Sequence, residues 1–307
     1  MTVTPDILFE REKLKNKIKK WQWLFFILLF VLVLMINKKF FNTKVGEGYI
    51  ARISIDGLIT YDSDLIKKLD ELANDSKVKA LIVDIDSHGS TSFAGEELYY
   101  ALKDFGYNKP IVSVLKTMAA SGGYMVALGT EHIIARNMTL TGSIGVLLQS
   151  FEAVELANKL GIKFISVKSS PLKASPNPME VMSKEVYEAI YETIEDDYLV
   201  FVDILAQNRK MTRDEALKLA DGRVYSGLKA KELNLIDEIG GEKEALNWLE
   251  KEKNISRKTK IEDINWGESD NLYNMFTAFF SNINSIFKSD LIQKITTKSN
   301  VKMLTVN

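Results

Sequence analysis

A serine flanked by small residues is the first position in this sequence that could do chemistry. Residues 117–127 read TMAASGGYMVA, with Ser121 between two alanines and two glycines. The apolar run 111–115 precedes this stretch and a helix-compatible pattern follows it, which predicts a strand, a tight turn and a helix. A hydroxyl at the N-terminus of a helix can attack a carbonyl, while free backbone N–H groups stabilise the oxyanion. Serine at such a position also often does no more than cap the helix.

A base must accept the proton of such a serine, and the sequence offers histidine or lysine for this role. The histidines are His88, in a polar turn that contains glycine, and His132, in a predicted strand where a structural role is more common. A lysine amine is a base only when it is neutral, which requires burial away from carboxylates. Lys173 fits this requirement because residues 169–178 contain no acidic side chain. The residues alone leave both kinds of base open.

Composition excludes several other kinds of chemistry. The chain of 307 residues has no cysteine, so it has no disulfide, thiolate metal site or cysteine nucleophile. Its 2 histidines are too few for a zinc site built from several of them. The formal net charge of −1 gives no electrostatic reason to expect nucleic acid as a partner. We therefore expect no metal and no cofactor.

An apolar run near the N-terminus predicts a membrane anchor. Residues 21–36 carry no charge and begin with two tryptophans within three positions. The basic flank that precedes them is denser than the two lysines that follow, which predicts a cytoplasmic N-terminus. A cleaved signal peptide is the alternative, but no small-x-small pattern follows the run. We expect cytoplasmic residues 1–20, a transmembrane helix over 21–37, a linker over 38–47, and the remainder on the extracytoplasmic side of the cell (inner) membrane.

The remainder of the chain alternates between predicted strands and helices. This alternation predicts an α/β fold with a parallel sheet and right-handed crossovers. Functional sites in such sheets form at the carboxyl ends of strands, where the polar turns 86–92 and 118–123 should meet. The spacing of Thr212 and Glu215 predicts a capping box. Strands are predicted over 49–55, 78–85, 111–115, 132–135, 141–148 and 163–168, and helices over 63–77, 93–105, 152–160, 183–207, 227–233 and 242–251.

Four motifs occur in a fixed order from residue 119 onward. They are AASGGY at 119–124, TGSIGV at 141–146, KSSPLK at 168–173 and DGRVY at 221–225, and LIDEIG follows at 235–240. In this order they resemble the signal peptide peptidase A family, also called protease IV. The resemblance covers roughly residues 48–250 and is to the short, single-copy form of that family.

The resemblance implies a fold, a catalytic dyad and an assembly. The fold would be Clp-protease or crotonase-like, with repeated ββα units. The chains would assemble into a ring or dome. Ser121 would be the nucleophile and Lys173 the general base, with Ser143 orienting the lysine. In family members of the short form, serine and lysine meet across a subunit interface.

The oxyanion hole should be formed where the two polar turns meet. We expect the N–H groups of Gly89 and Gly122 to be its donors. The family usually has Asn-Ser-Pro-Gly-Gly in the first of these turns, whereas this chain has Asp-Ser-His-Gly-Ser at 86–90. The sequences differ at three positions, with Asp86 for asparagine, His88 for proline and Ser90 for the second glycine. The changes at His88 and Ser90 affect the conformation expected for the Gly89 amide.

The resemblance also implies the substrates and the domain organisation. A peptidase domain would cover 48–253, and the substrates would be remnant signal peptides and other hydrophobic peptides at the membrane. An extension over 254–307 contains an aromatic stripe at 272–287 that could pack in a core, contact another subunit or lie on a membrane. Two other functions stay open: a Clp-type Ser-His peptidase, and a non-catalytic crotonase-like membrane assembly protein.

Overall fold

The computed structural model describes residues 48–266 together with Gln22, Trp23 and Phe25. The chain divides into two compact units, residues 1–47 and 48–307. Gln22, Trp23 and Phe25 are helical. Outside the described residues lie the rest of the predicted anchor, the linker up to residue 47 and the stripe at 272–287. Within the described part of the chain, no helix has both the length and the apolar character that a membrane span requires.

One mixed sheet organises the larger unit. The described strands run in the order β6-β5-β3-β2-β1-β8, with β4 between β3 and β7. Every pairing is parallel except that of β5 with β6. This confirms the predicted α/β class and parallel sheet. The strands are β1 (Tyr49–Ile59), β2 (Val78–Ser90), β3 (Ile111–Ala120), β4 (His132–Ala135), β5 (Leu140–Gly142), β6 (Val224–Ser226), β7 (Glu238–Ile239) and β8 (Ile261–Asp263).

The helices begin at polar caps that the sequence carries. Asp62, Thr91 and Ser183 each accept hydrogen bonds from backbone N–H groups of the helix that follows. The predicted capping box of Thr212 and Glu215 is confirmed. The described helices of this unit are α1 (Ser63–Asn74), α2 (Ser92–Asn108), α3 (Gly122–Leu128), α4 (Val154–Lys159), α5 (Lys184–Arg209), α6 (Arg213–Leu219), α7 (Gly227–Glu232) and α8 (Glu242–Lys253).

The sheet is covered by apolar clusters on both faces. Alternate residues of β2 point to opposite faces, so Leu81 and Val83 join the larger cluster while Ala80 and Ile82 join the smaller one. The larger cluster contains buried side chains of α1, α2, α3 and α5, and the smaller one contains Leu249 of α8. Burial on both faces explains why the central strands are continuous apolar runs in the sequence.

The three longest strands continue through segments that we predicted to be turns. Residues 56–57 lie inside β1 and residues 86–90 lie inside β2, each beside a register shift. β3 also has two parts, because residues 112–115 pair with β4 and residues 118–120 pair with β5. Pairing with a neighbouring strand outweighs the turn preference of Asp, Gly and Ser, which is a local signal only.

Several shorter elements differ from the prediction. The strand predicted over 141–148 ends at Gly142, and the strand predicted over 163–168 does not form. All of residues 163–167 are exposed, and no strand of the described chain pairs with them. The strands β7 and β8 were not predicted, since two or three residues carry no periodic signal. Because β8 pairs with β1, the sheet continues beyond residue 253.

Candidate active site

Ser121 lies at the junction between β3 and α3, and its backbone has an unusual conformation. Its φ is 52° and its ψ is −123°, a region that costs a residue with a side chain about 1–3 kcal/mol. The Ser121 N–H donates to the Gly142 carbonyl at 2.8 Å. The Ser121 carbonyl accepts from the N–H groups of Tyr124 and Met125 at 2.9 and 3.0 Å. Hydrogen bonds on both sides of the residue thus hold it in this conformation.

The side chain of Ser121 does not cap α3. No hydrogen bond runs from the N–H groups of that helix to its hydroxyl. At the starts of α2 and α5, by contrast, Thr91 and Ser183 make this bond through ordinary extended backbone. The interpretation that Ser121 serves only as a helix cap therefore does not describe this structure, and the hydroxyl is available for another role.

Residues 86–90, the polar end of β2, pack directly against the start of α3. The two polar segments therefore meet, as predicted. A β-carbon at position 122 would lie 1.8 Å from Ser90 Oγ, and one at position 123 would lie 2.9 Å from the Ser87 carbonyl oxygen. Only glycine fits at both positions. A β-carbon at Gly89 would lie 3.9 Å from Ser121 Oγ. Gly89 and Gly122 thus both neighbour the candidate nucleophile.

The Gly89 amide already has a hydrogen-bond partner. It donates to Ser87 Oγ at 3.2 Å, and the Ser87 hydroxyl donates in turn to the Gly57 carbonyl at 2.6 Å. Ser87 itself is buried. As an oxyanion donor, the Gly89 amide would have to exchange this long bond for a shorter one to the substrate.

Two further motifs support the conformation of Ser121. Gly142 accepts the Ser121 N–H, and a β-carbon on it would lie 2.5 Å from the Tyr225 ring. The β5–β6 pairing places Thr141 opposite Tyr225, and the Ser143 N–H donates to the Arg223 carbonyl at 2.8 Å. The motifs at 119–124, 141–146 and 221–225 therefore meet at one place, with Ser143 one residue beyond the carbonyl that holds Ser121.

Lys173 lies in an exposed loop, and no hydrogen bond connects it to Ser121 in the part of the chain that the structure describes. Among the described residues, no ion pair or hydrogen bond engages its ammonium group. Glu180 is the next carboxylate along the sequence, and Lys168 pairs with it. The Lys168 ammonium also lies 3.3 Å from Ser175 Oγ. The loop therefore keeps the nearest acidic group paired with another lysine, but it does not bury Lys173.

Neither histidine is placed as the base for Ser121. The His132 ring stacks on Trp248 with centroids 4.9 Å apart, and its Nε2 lies 3.3 Å from Glu238 Oε2. His132 pairs with Val112, nine residues before Ser121 along β3, which corresponds to about 30 Å of extended strand. His88 is exposed, and no hydrogen bond connects it to Ser121 in the described part of the chain.

A buried hydrogen bond and an ion pair support the serine helix α3, and no sequence pattern predicts them. Tyr124 is buried, and its hydroxyl donates to the Leu235 carbonyl at 2.6 Å. Arg209 donates to both carboxylate oxygens of Asp237 at 2.8 and 3.1 Å. Burial alone would raise the pKa of Asp237, but the Arg209 hydrogen bonds and charge, with the Ile133 amide, hold that pKa below its usual value. The motif at 235–240 thus has a structural role, and no periodic pattern marks Arg209.

A strained serine at a strand-helix junction, with glycines beside it, is an arrangement that suits the nucleophile of a serine hydrolase. The sequence pattern described as peptidase family S49 matches residues 103–256. A Methanocaldococcus jannaschii protein named as a protease is 32% identical over 230 residues, which is 75% of this chain and 72% of that protein. An Enterococcus faecium protein named as signal peptide peptidase SppA is 33% identical, over 74% of this chain and 67% of its own length.

A longer relative matches over a smaller share of its length. Protease 4 of Haemophilus influenzae is 30% identical over 73% of this chain, which is 38% of that protein. The chain belongs to peptidase family S49 and is a serine-type peptidase. The predicted resemblance to the signal peptide peptidase A family is confirmed.

The strain at Ser121 predicts an unusual order of stability. Ser121→Gly should unfold with a free energy about 1 kcal/mol higher than Ser121→Ala, because glycine adopts this φ without strain and alanine does not. Urea unfolding of the full chain measures the difference. At the exposed strand residue Ser54 the order should reverse, because glycine there only weakens the strand. Equal or lower stability of the glycine variant at 121 would show that the position is not strained.

Proposed function

We propose that this protein is a membrane-anchored serine endopeptidase with a Ser121–Lys173 dyad. One observation carries the proposal, and it concerns non-glycine residues with positive φ. Among the described residues, those in this conformation that do not follow a helix are Ser121, Ser143 and Ala174, the neighbour of Lys173. The others terminate helices, where this conformation is ordinary: Lys210, Asn234 and Asn254.

The coincidence matters because backbone strain persists only where the surrounding structure enforces it. Such residues cluster at functional sites. The nucleophile, the serine expected to orient the base, and the residue beside the base all have this property, although they are far apart in sequence. No requirement of helix termination explains it at these three places, which supports a shared catalytic role.

The proposed reaction is a two-step acyl transfer. The neutral Lys173 amine takes the proton of Ser121 Oγ as that oxygen bonds to the scissile carbonyl carbon. When the tetrahedral intermediate collapses, the C–N bond breaks and the lysine ammonium returns its proton to the leaving amine. Water then attacks the acyl-serine with Lys173 again as the base, and the carboxylic product leaves with Ser121 restored.

The oxyanion would be held by the first amide of α3 and by the end of β2. The Gly122 N–H lies at the N-terminus of the helix, where backbone amides have no partner inside the helix. The Gly89 N–H would join it after leaving Ser87 Oγ. Charge that develops on the carbonyl oxygen makes a shorter bond than the neutral serine hydroxyl does, which favours this exchange.

We propose that a second copy of the chain supplies the lysine. A lysine base needs burial, and this chain leaves Lys173 exposed. The segment 147–181 around Lys173 also exposes large apolar side chains, which is unusual for a free surface. A second copy that covered this segment would bury Lys173 and these apolar side chains, and a ring or dome of chains would repeat the contact. The large apolar side chains between residues 147 and 181 that are at least 69% exposed are Leu147, Phe151, Ile165, Val167 and Val181.

The proposed substrates are remnant signal peptides and other hydrophobic peptides at the membrane. The apolar run at 21–36 with its basic flank supports a single-pass anchor with a cytoplasmic N-terminus and an extracytoplasmic peptidase domain. The relative named as a signal peptide peptidase supports the substrate class.

A shared dyad predicts complementation between inactive variants. Ser121→Ala and Lys173→Ala should each abolish cleavage of a hydrophobic signal-peptide analogue. A mixture of the two should recover part of the activity, because some interfaces then pair an intact serine with an intact lysine. Lys163→Ala serves as the matched control, since Lys163 is an exposed lysine in the same segment. Two inactive variants whose mixture stays inactive after subunit exchange would contradict the shared dyad.

The base role predicts that charge alone cannot replace Lys173. Lys173→Arg keeps the positive charge, but a guanidinium does not lose its proton in proteins. This variant should lower kcat/KM by about 10²–10⁴-fold, the usual contribution of a general base. Steady-state hydrolysis of the hydrophobic signal-peptide analogue measures this decrease in kcat/KM. An arginine variant with near wild-type turnover would assign Lys173 a binding role instead.

A further inference from the structure

Leu58, near the end of β1, pairs with Gly89, the glycine that neighbours the candidate nucleophile, and the proposed mechanism gives this leucine no role. β1 has a register shift between Asp56 and Leu58, with Gly57 at a φ of 72°. Beyond the shift, Leu58 pairs with Gly89 of β2. The Ser87 hydroxyl donates to the Gly57 carbonyl at 2.6 Å, which fixes the irregular part of β1 to the polar end of β2.

The position of Gly89 determines where the Leu58 side chain points. A β-carbon on Gly89 would lie 3.7 Å from Ser121 Cβ and 3.9 Å from its Oγ. Register partners on adjacent strands direct their side chains to the same face of a sheet, with the strands about 4.8 Å apart. Leu58 therefore projects on the face where Ser121 lies, one strand further from it than Gly89.

Leu58 is exposed in a part of the strand where other apolar residues are buried. Its side chain is 55% exposed, whereas Ile55 and Ile59 are almost fully buried. Just beyond it, the rings of Tyr61 and Phe93 meet with centroids 5.3 Å apart, and both are more than half exposed. The Thr91 N–H bonds to the Ile59 carbonyl, which ties together the two segments that carry these residues.

We propose that Leu58 determines specificity by contacting the substrate side chain of the residue that supplies the scissile carbonyl. This inference rests on the proposed function. Gly89 is a proposed donor to that carbonyl oxygen, so the residue carrying the carbonyl lies nearest to the strand position opposite Gly89. An exposed leucine there favours an apolar side chain, since contact removes apolar surface of both groups from water. The Tyr61–Phe93 pair extends the apolar surface along the peptide.

Two peptides that differ at one residue test this assignment. They carry leucine or alanine at the position that supplies the scissile carbonyl. In the full chain, Leu58→Ala should lower kcat/KM for the leucine peptide by about 5–30-fold and for the alanine peptide by less than about 3-fold. Leu228→Ala is the matched control, because Leu228 is 54% exposed and lies on α7. The Leu228→Ala variant should leave kcat/KM unchanged for both peptides.

A binding measurement separates failure of this inference from failure of the proposed nucleophile. The affinities of the uncleaved peptides are measured in the Ser121→Ala variant with and without Leu58→Ala. Loss of preference for the leucine peptide in the double variant supports the assignment. An equal decrease for both peptides, or no change for either, overturns it. Cleavage by Ser121→Ala itself would overturn the proposed function, while the ratio of affinities would still decide the role of Leu58.

Discussion

The backbone of Ser121 is the constraint on which the rest of the site depends. A serine at a φ of 52° and a ψ of −123° relaxes unless neighbouring groups prevent it. The Gly142 carbonyl holds its N–H, and α3 begins at its carbonyl. The absence of side chains at 122 and 123 lets the helix approach β2 closely enough to keep both bonds. Ser121 is half-buried, and its hydroxyl is not used to cap the helix.

Most of the family motifs have roles in maintaining this constraint. Tyr225 packs against Gly142 and so fixes the carbonyl that holds Ser121. Tyr124 fixes the other side, because its buried hydroxyl bonds to the Leu235 carbonyl. Asp237, two residues after Leu235, forms an ion pair with Arg209. This pair connects α5 with the segment that precedes β7. Within residues 48–266, no hydrogen bond connects the loop of Lys173 to Ser121.

The sequence predicted the local features well and the long-range ones poorly. The turn at Ser121 could be recognised because glycine and alanine next to a serine after an apolar strand have few other uses. The extension of β2 to Ser90 could not, because it depends on pairing with β1 and β3, which no local pattern encodes. The role of His132 likewise depends on Trp248, more than a hundred residues away. Lys173 was found by its resemblance to a motif, and among the described residues no hydrogen bond connects its loop to Ser121.

The central claim is that Ser121 is a nucleophile activated by Lys173, and covalent labelling tests it most directly. The full chain is treated with a peptidyl phosphonate carrying leucine, and the adduct is located by mass spectrometry of the digested protein. The account predicts one adduct, on the peptide that contains Ser121, and its loss in Lys173→Ala. An unlabelled Ser121 in a chain that still cleaves peptides would contradict the nucleophile, and unchanged labelling of Lys173→Ala would contradict the base.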